Sequence, residues 1–303
     1  MKKQTALILG SGGARGLAHI GVIKALEENG IPIDIITGTS IGALIGGLYA
    51  SGMSIQEMEK IVGNVNKMMV AKVLRPKLFS PGFVDNKSVI KFIKDMVGNV
   101  KIENLNIPFA AVSTDLVTGE EIVFTKGNLA DAIMASIAIP AIFQPVHLGG
   151  RYLIDGGISN PLPVSVALEM KANKTIAVNV SPNPKRFTDK IKQRKTEEIT
   201  ALIKKLPSML SNIIKDNLQL FINVENKKKV IEKPETVIFS PKLMQVFLQS
   251  ISITTNNLMT QRLRSASPDI LISPKIEIFD MLEFYKGKEI IKCGHEAACK
   301  SNL

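Results

Sequence analysis

Over the first 180 residues the spacing of apolar positions switches repeatedly between two patterns. Short aliphatic and β-branched runs, with the length and make-up of buried strands, alternate with longer stretches whose apolar residues recur every three or four positions. The pattern predicts a strand over 5–9 leading to a helix over 17–29, and a strand over 33–38 leading to a helix over 41–50. Ser54 followed by Glu57 has the spacing of a capping box and predicts a short helix over 54–62. Residues 53–104 read as helical and loop-rich, including the Pro- and Gly-punctuated apolar stretch 74–84. Strands over 109–117 and 120–125 follow across a Thr-Gly turn, then a helix over 129–138, a strand over 152–154, a helix over 162–171 and a strand over 175–180. Alternation of this kind predicts an α/β fold of three layers, a mostly parallel central sheet with helices on both faces.

The character changes at Ser181. Pro182 and Pro184 open a basic linker, and 197–224 is a helical pattern broken by Pro207, with an apolar stripe from Leu202 to Phe221. A second helix is predicted over 243–264, a strand over 268–272 and a terminal helix over 286–300. The expected organisation is a catalytic domain over 5–180, followed by a basic linker and a mainly helical region over 181–303 that packs on it and shapes the substrate groove.

A chain of 303 residues can bury a full core. With no Trp and 5% aromatic residues, that core must be aliphatic. Cys293 and Cys299 stand six apart with no Cys-x-x-Cys unit or His/Cys cluster, which points to two reduced thiols and not to a metal site. Met1-Lys2-Lys3 begins like a signal peptide, but the apolar run after it breaks at Gly10. No stretch approaches the ~18 apolar residues of a membrane span. Cytoplasmic residence is expected, with peripheral contact to a membrane left open. More than half of the net charge of +11 falls within 185–233. Such a tract attracts phospholipid headgroups or nucleic acid. It carries no nucleic-acid motif and no interleaved aromatics, so nucleic acid is set aside. Between those two an anionic membrane surface is the better match, and a plain solvated face is the stronger alternative to both. The oligomeric state is not readable.

The chemistry gathers in three stretches. In Gly38-Thr39-Ser40-Ile41-Gly42, a strand leads through Gly-x-Ser-x-Gly into a helix, the context of a nucleophile elbow. A serine on so sharp a turn needs neighbours without side chains, and the helix N-terminus beside it favours negative charge. Upstream, Gly10-Ser11-Gly12-Gly13-Ala14-Arg15-Gly16 ends a strand and opens a helix, presenting backbone N–H groups to a phosphate or an oxyanion. Downstream, Asp155-Gly156-Gly157 follows a strand-like run, and its glycines admit another backbone close to the carboxylate.

Together these stretches resemble the patatin-like phospholipases of the bacterial branch, and so do the run from Ala135-Ser136 to Pro140 and the run Asn160-Pro161-Leu162-Pro163. Ser11 departs from the family's usual Gly-Gly-Gly-x-Arg-Gly by occupying its first glycine position. The resemblance implies a serine acyl hydrolase acting on a lipid or other acyl ester, with Ser40 as nucleophile and Asp155 taking its proton directly. Gly12 and Gly13, joined by Ala14 or Ile41, would hold the oxyanion. Gly10, Arg15, Gly16, Gly38, Gly42, Gly156 and Gly157 would support these motifs, with Arg15 positioning the loop or meeting a lipid phosphate. No metal or cofactor is called for.

A histidine base would have to be His19, His147 or His295. The order Ser40, Asp155, His295 matches that of α/β-hydrolases, although His295 falls on the terminal helix. Two other functions stay open. One is a catalytically weak lipid-binding regulator on the same fold. The other is a nucleotide-binding protein, against which Gly38 stands where an acidic ribose ligand belongs.

Overall fold

The computed structural model describes residues 4–73, 86–181 and 243–301. The stretch 74–84, the basic tract 185–233 and the predicted helix 197–224 lie outside the described residues. Met1–Pro182 and Gln249–Leu303 form one compact unit, and Asn183–Leu248 forms another.

The first unit is built on a sheet of eight strands: β1 (Thr5–Leu9), β2 (Ile35–Thr39), β3 (Phe109–Asp115), β4 (Glu121–Phe124), β5 (Val146–Leu148), β6 (Arg151–Asp155), β7 (Lys174–Val178) and β8 (Ile270–Ile272). The order is β5-β6-β3-β2-β1-β7-β8, with β4 added to β3. The pairs β1–β2, β1–β7, β2–β3 and β7–β8 are parallel, whereas β4 and β6 run antiparallel to β3 and β5 antiparallel to β6. The mostly parallel sheet expected from the alternation is present, with its antiparallel members gathered at one end.

Helices cover the sheet. They are α1 (Ala18–Glu28), α2 (Ile41–Ala50), α3 (Ile55–Gly63), α4 (Lys67–Val73), α5 (Asn86–Val97), α6 (Leu129–Ser136), α7 (Val164–Glu169), α8 (Leu243–Ser265) and α9 (Gly287–Cys299). The pleat separates them into layers, because successive strand residues face opposite sides. Leu7, Leu9, Ile36 and Ile176 join one aliphatic cluster with Ile20 and Ile23 of α1, Ile45 of α2, Ile133 of α6 and Ile290 of α9. Ala6, Ile8, Ile35 and Ala177 join another with Val164 and Ala167 of α7 and Met259 of α8.

Local chemistry sets the element ends. Ser54 and Glu57 form both bonds of the capping box at the start of α3. β3 stops at Asp115, two residues short of the expected strand, because its carboxylate accepts the amides of Val117 and Thr118 and turns the chain. The helix expected from Leu162 begins at Val164, after Pro163. The second half of the glycine loop, Gly13–Leu17, forms a 3₁₀ turn that leads into α1, so the α-helix begins at Ala18, one residue after the expected start.

One feature of the topology creates the site. β4 pairs with Ala111–Thr114 of β3, so β2 on Phe109–Val112 and β6 on Ser113–Asp115 must share the opposite edge. β2 runs parallel to β3 and ends with Thr39 beside Val112; β6 runs antiparallel and ends with Asp155 beside Ser113. The two strands meet end to end. Ser40, the next residue after β2, and Asp155, the last of β6, are thereby brought together across 115 positions of sequence.

Candidate active site

Ser40 has φ 56° and ψ −123°, a conformation that side-chain-bearing residues rarely adopt. Such strain persists where the surroundings over-determine it. A side chain on Gly38 would run into the backbone of Gly42 and Ala43, and one on Gly42 into the carbonyls of Leu9 and Gly10. The hydroxyl of Thr39 donates to Asn160 O at 2.7 Å, and the amide of Ser40 donates to Ser136 Oγ at 2.8 Å. These contacts hold the elbow on both sides of Ser40.

Ser40 Oγ donates to Asp155 Oδ2 at 2.5 Å, while Asp155 Oδ1 accepts the amide of Gly157 at 2.7 Å. Both side chains are buried at the base of a cleft. Gly156 cannot carry a side chain because the Val112 carbonyl stands where its Cβ would be. Burial pushes the Asp155 carboxyl up from 3.8 to about 6, against the opposing pull of the hydrogen bonds from Ser40 and Gly157. The result is a carboxylate basic enough to take a proton and still ionised at neutral pH.

The glycine loop lies beside this pair. Gly10 N–H donates to Val178 O at 3.2 Å and Ser11 N–H to Pro161 O at 2.8 Å, which secures its first half. Gly13 has φ 59°, and a side chain there would collide with Met281. Among the described residues the amides of Gly12 and Gly13 have no acceptor. Ile41 is the first residue of α2, where an amide has no intrahelical partner. Ala14 must be removed from the set of open donors, since its amide is bonded to Met281 O at 2.8 Å. Arg15 is buried and its Nε–H donates to Gly12 O at 3.3 Å. That contact orients the Gly12–Gly13 peptide, whose N–H points opposite to its carbonyl. Burial lowers the Arg15 guanidinium to about 10, partly offset by Asp280 and Glu277, so it stays charged.

No histidine lines the cleft. His19 is fully buried beneath the loop, where Nε2–H donates to Gly10 O at 2.8 Å. Burial lowers it to about 4, so it is a neutral strut at ordinary pH. His147 lies exposed on β5 with its ring 5.0 Å from that of Tyr152. His295 sits on α9 and meets Glu28 of α1 at 2.6 Å. Despite the α/β-hydrolase chain order, His295 is not among the residues lining the cleft. Among the described residues no group of three or more His, Cys, Asp or Glu side chains could hold a metal ion, and no helix is long and apolar enough to cross a membrane.

The cleft walls add Ile139, Pro140 and Ile158 from the stretch before Ser181, and Ile251, Thr255 and Met281 from the end of the chain. Sequence reasoning did not single out Ser136 or Met281. Ser136 had a signal, since it lies in the run that ends at Pro140. Met281 had none, because its carbonyl does the binding.

The profile of the family described as patatin-like phospholipase matches residues 7–168. An uncharacterised NTE family protein of Mycobacterium tuberculosis is 43% identical over 178 residues, covering 59% of this chain and 49% of that relative. Patatin-like phospholipase domain-containing protein 6 of Mus musculus is 37% identical over 185 residues, covering 58% of this chain and 13% of that protein. This chain thus spans about half the length of the mycobacterial relative and far less of the mouse one. Among solved structures, VipD from Legionella pneumophila aligns with 88% of this chain and 67% of its own, at a TM-score of 0.40 and 16% identity. With a family match over more than half of its residues, the chain belongs to the patatin-like phospholipase family.

Proposed function

We propose that this chain hydrolyses lipid acyl esters, phospholipid or lysophospholipid among them, through a Ser40–Asp155 dyad. The observation that carries this reading is the 2.5 Å bond from Ser40 Oγ to a carboxylate that burial has made unusually basic. Ser40 Oγ attacks the ester carbonyl carbon as its proton passes to Asp155 Oδ2. The oxyanion that forms is held by the amides of Gly12 and Gly13, with Ile41 as a third donor. One such donor is typically worth ~10²–10³ in rate. Collapse of the intermediate expels the alcohol, which takes the proton back from Asp155, and leaves Ser40 acylated. Water then attacks the acyl carbon, Asp155 accepts its proton, and the fatty acid leaves as Ser40 recovers its hydrogen.

Arg15 acts in this scheme through the loop it holds. The basic tract 185–233 would bring the enzyme to anionic lipid. The family match supports lipid as the substrate class.

Labelling by a fluorophosphonate probe tests the reading. Wild type should form an adduct mapped by mass spectrometry to Ser40, and Ser40→Ala should form none. A folded wild type that neither reacts with the probe nor hydrolyses a short-chain ester would overturn it.

A further inference from the structure

The hand-over of β3 from β2 to β6 leaves a gap in the ladder. Past the last β2–β3 pair, Thr39 with Val112, the Ser40 amide and the Val112 carbonyl both come free at the moment the chain turns. One hydroxyl fills the gap. Ser136 Oγ accepts the Ser40 N–H at 2.8 Å and donates to Val112 O at 2.5 Å. A serine hydroxyl has a single proton, so this donation leaves none for a substrate oxyanion. Ser136 is fully buried, so its hydroxyl makes these bonds away from bulk water.

The same stretch of chain holds the other member of the pair. The Asp155 amide donates to Ala138 O at 2.9 Å, two residues beyond Ser136. Ser113 Oγ lies 3.1 Å from Ala135 O and donates to Ile154 O at 2.7 Å, tying the end of α6 to the residue before Asp155. Residues 135–138 therefore anchor the main chain on both sides of the Ser40–Asp155 contact.

We propose that Ser136 is a positioning residue of this site, holding the strained elbow at the distance from Asp155 that proton transfer requires. The inference rests on the reading of Ser40 and Asp155 as a reacting pair. Ser136 touches neither substrate nor the transferred proton; it acts through the Ser40 backbone. Without its hydroxyl, two buried polar groups lose their partner, and the Ser40 amide is free to swing toward Val112 O. Ser40 Oγ would then draw away from Asp155.

The test compares wild type with Ser136→Ala and Ser136→Cys, using a neutral short-chain ester from pH 4 to 9, alongside thermal melts. Misplacement on the scale of ~1 Å can cost ~10²-fold, so kcat should fall about 10- to 100-fold while KM stays within about twofold. The pH limb is the readout that a merely structural role would not move. The Ser40 hydrogen bond lowers the Asp155 pKa, so its loss should shift the limb to higher pH. Arg15, the other charged side chain lining the cleft, is unchanged in both variants. The sulfur of Ser136→Cys is near in size and a weak hydrogen-bonding group, so it decides the matter where the alanine variant does not fold. An unmoved limb with near-normal kcat in the folded variants overturns this inference alone. An inert wild type overturns the parent reading and this inference with it.

Discussion

The stretch from 7 to 168 and the stretch from 249 to 301 build one cleft by different means. In the first, backbone geometry leaves almost no choice of residue: Ser40 at φ 56° tolerates only glycine at 38 and 42, and Asp155 tolerates only glycine at 156. In the second, the contacts are made largely by backbone atoms and by the packing of helices and strands. Met281 holds Ala14 through its carbonyl, β8 extends the sheet beside β7, and α9 packs on α1. The lesson is that Ser40 and Asp155 sit where a strained turn forces glycine around them. The later stretch supports them through backbone contacts and close helix packing, itself strict where α9 meets α1 at Gly294. Damage to the first region should remove activity from a folded protein. Damage to the second should remove the fold from an intact active site.

The largest effect is expected at the elbow. A side chain at Gly42→Ala meets the carbonyls of Leu9 and Gly10, so the turn must shift. Steady-state kinetics should show kcat/KM lowered more than about 10²-fold. Gly294→Val on α9 is the counterpart, since any Cβ at Gly294 enters the backbone of Ala18 on α1. Overpacking of this kind costs roughly 1–3 kcal/mol, more where backbone must move. Calorimetry should show a lower Tm, with kcat per folded molecule unchanged. A lost kcat at unaltered Tm would erase the distinction between the two regions. The smallest effect is expected from His295→Ala, which removes a half-exposed contact to Glu28. Exposed pairs contribute about 0–1 kcal/mol, so Tm should barely move and turnover should stay within about twofold.

The same contrast governs what the sequence reveals. Strand and helix positions were readable because the apolar period switches, and the elbow, the glycine loop and Asp155-Gly156-Gly157 were readable because glycine is forced there. The meeting of β2 and β6 on one edge of β3 was not readable, since it depends on pairing between segments far apart in sequence. Ser136 was marked only by the run it shares with Pro140, and its part at the elbow shows only once its two partners are in place. Ala14 was misjudged for a related reason, since nothing local announces that Met281 will take its amide.

The central claim is that Asp155, and no histidine, takes the proton from Ser40. The most direct measurement is kcat/KM for a neutral ester across pH, for wild type beside Asp155→Asn. Asp155 must be ionised to accept a proton, so wild-type activity should be full above its folded pKa and fall as pH drops through about 6. The asparagine variant should stay folded and lose more than about 10³-fold at every pH, within the range general-base catalysis supplies. Turnover by Asp155→Asn within tenfold of wild type would contradict the account, as would a limb that disappears on replacing a histidine.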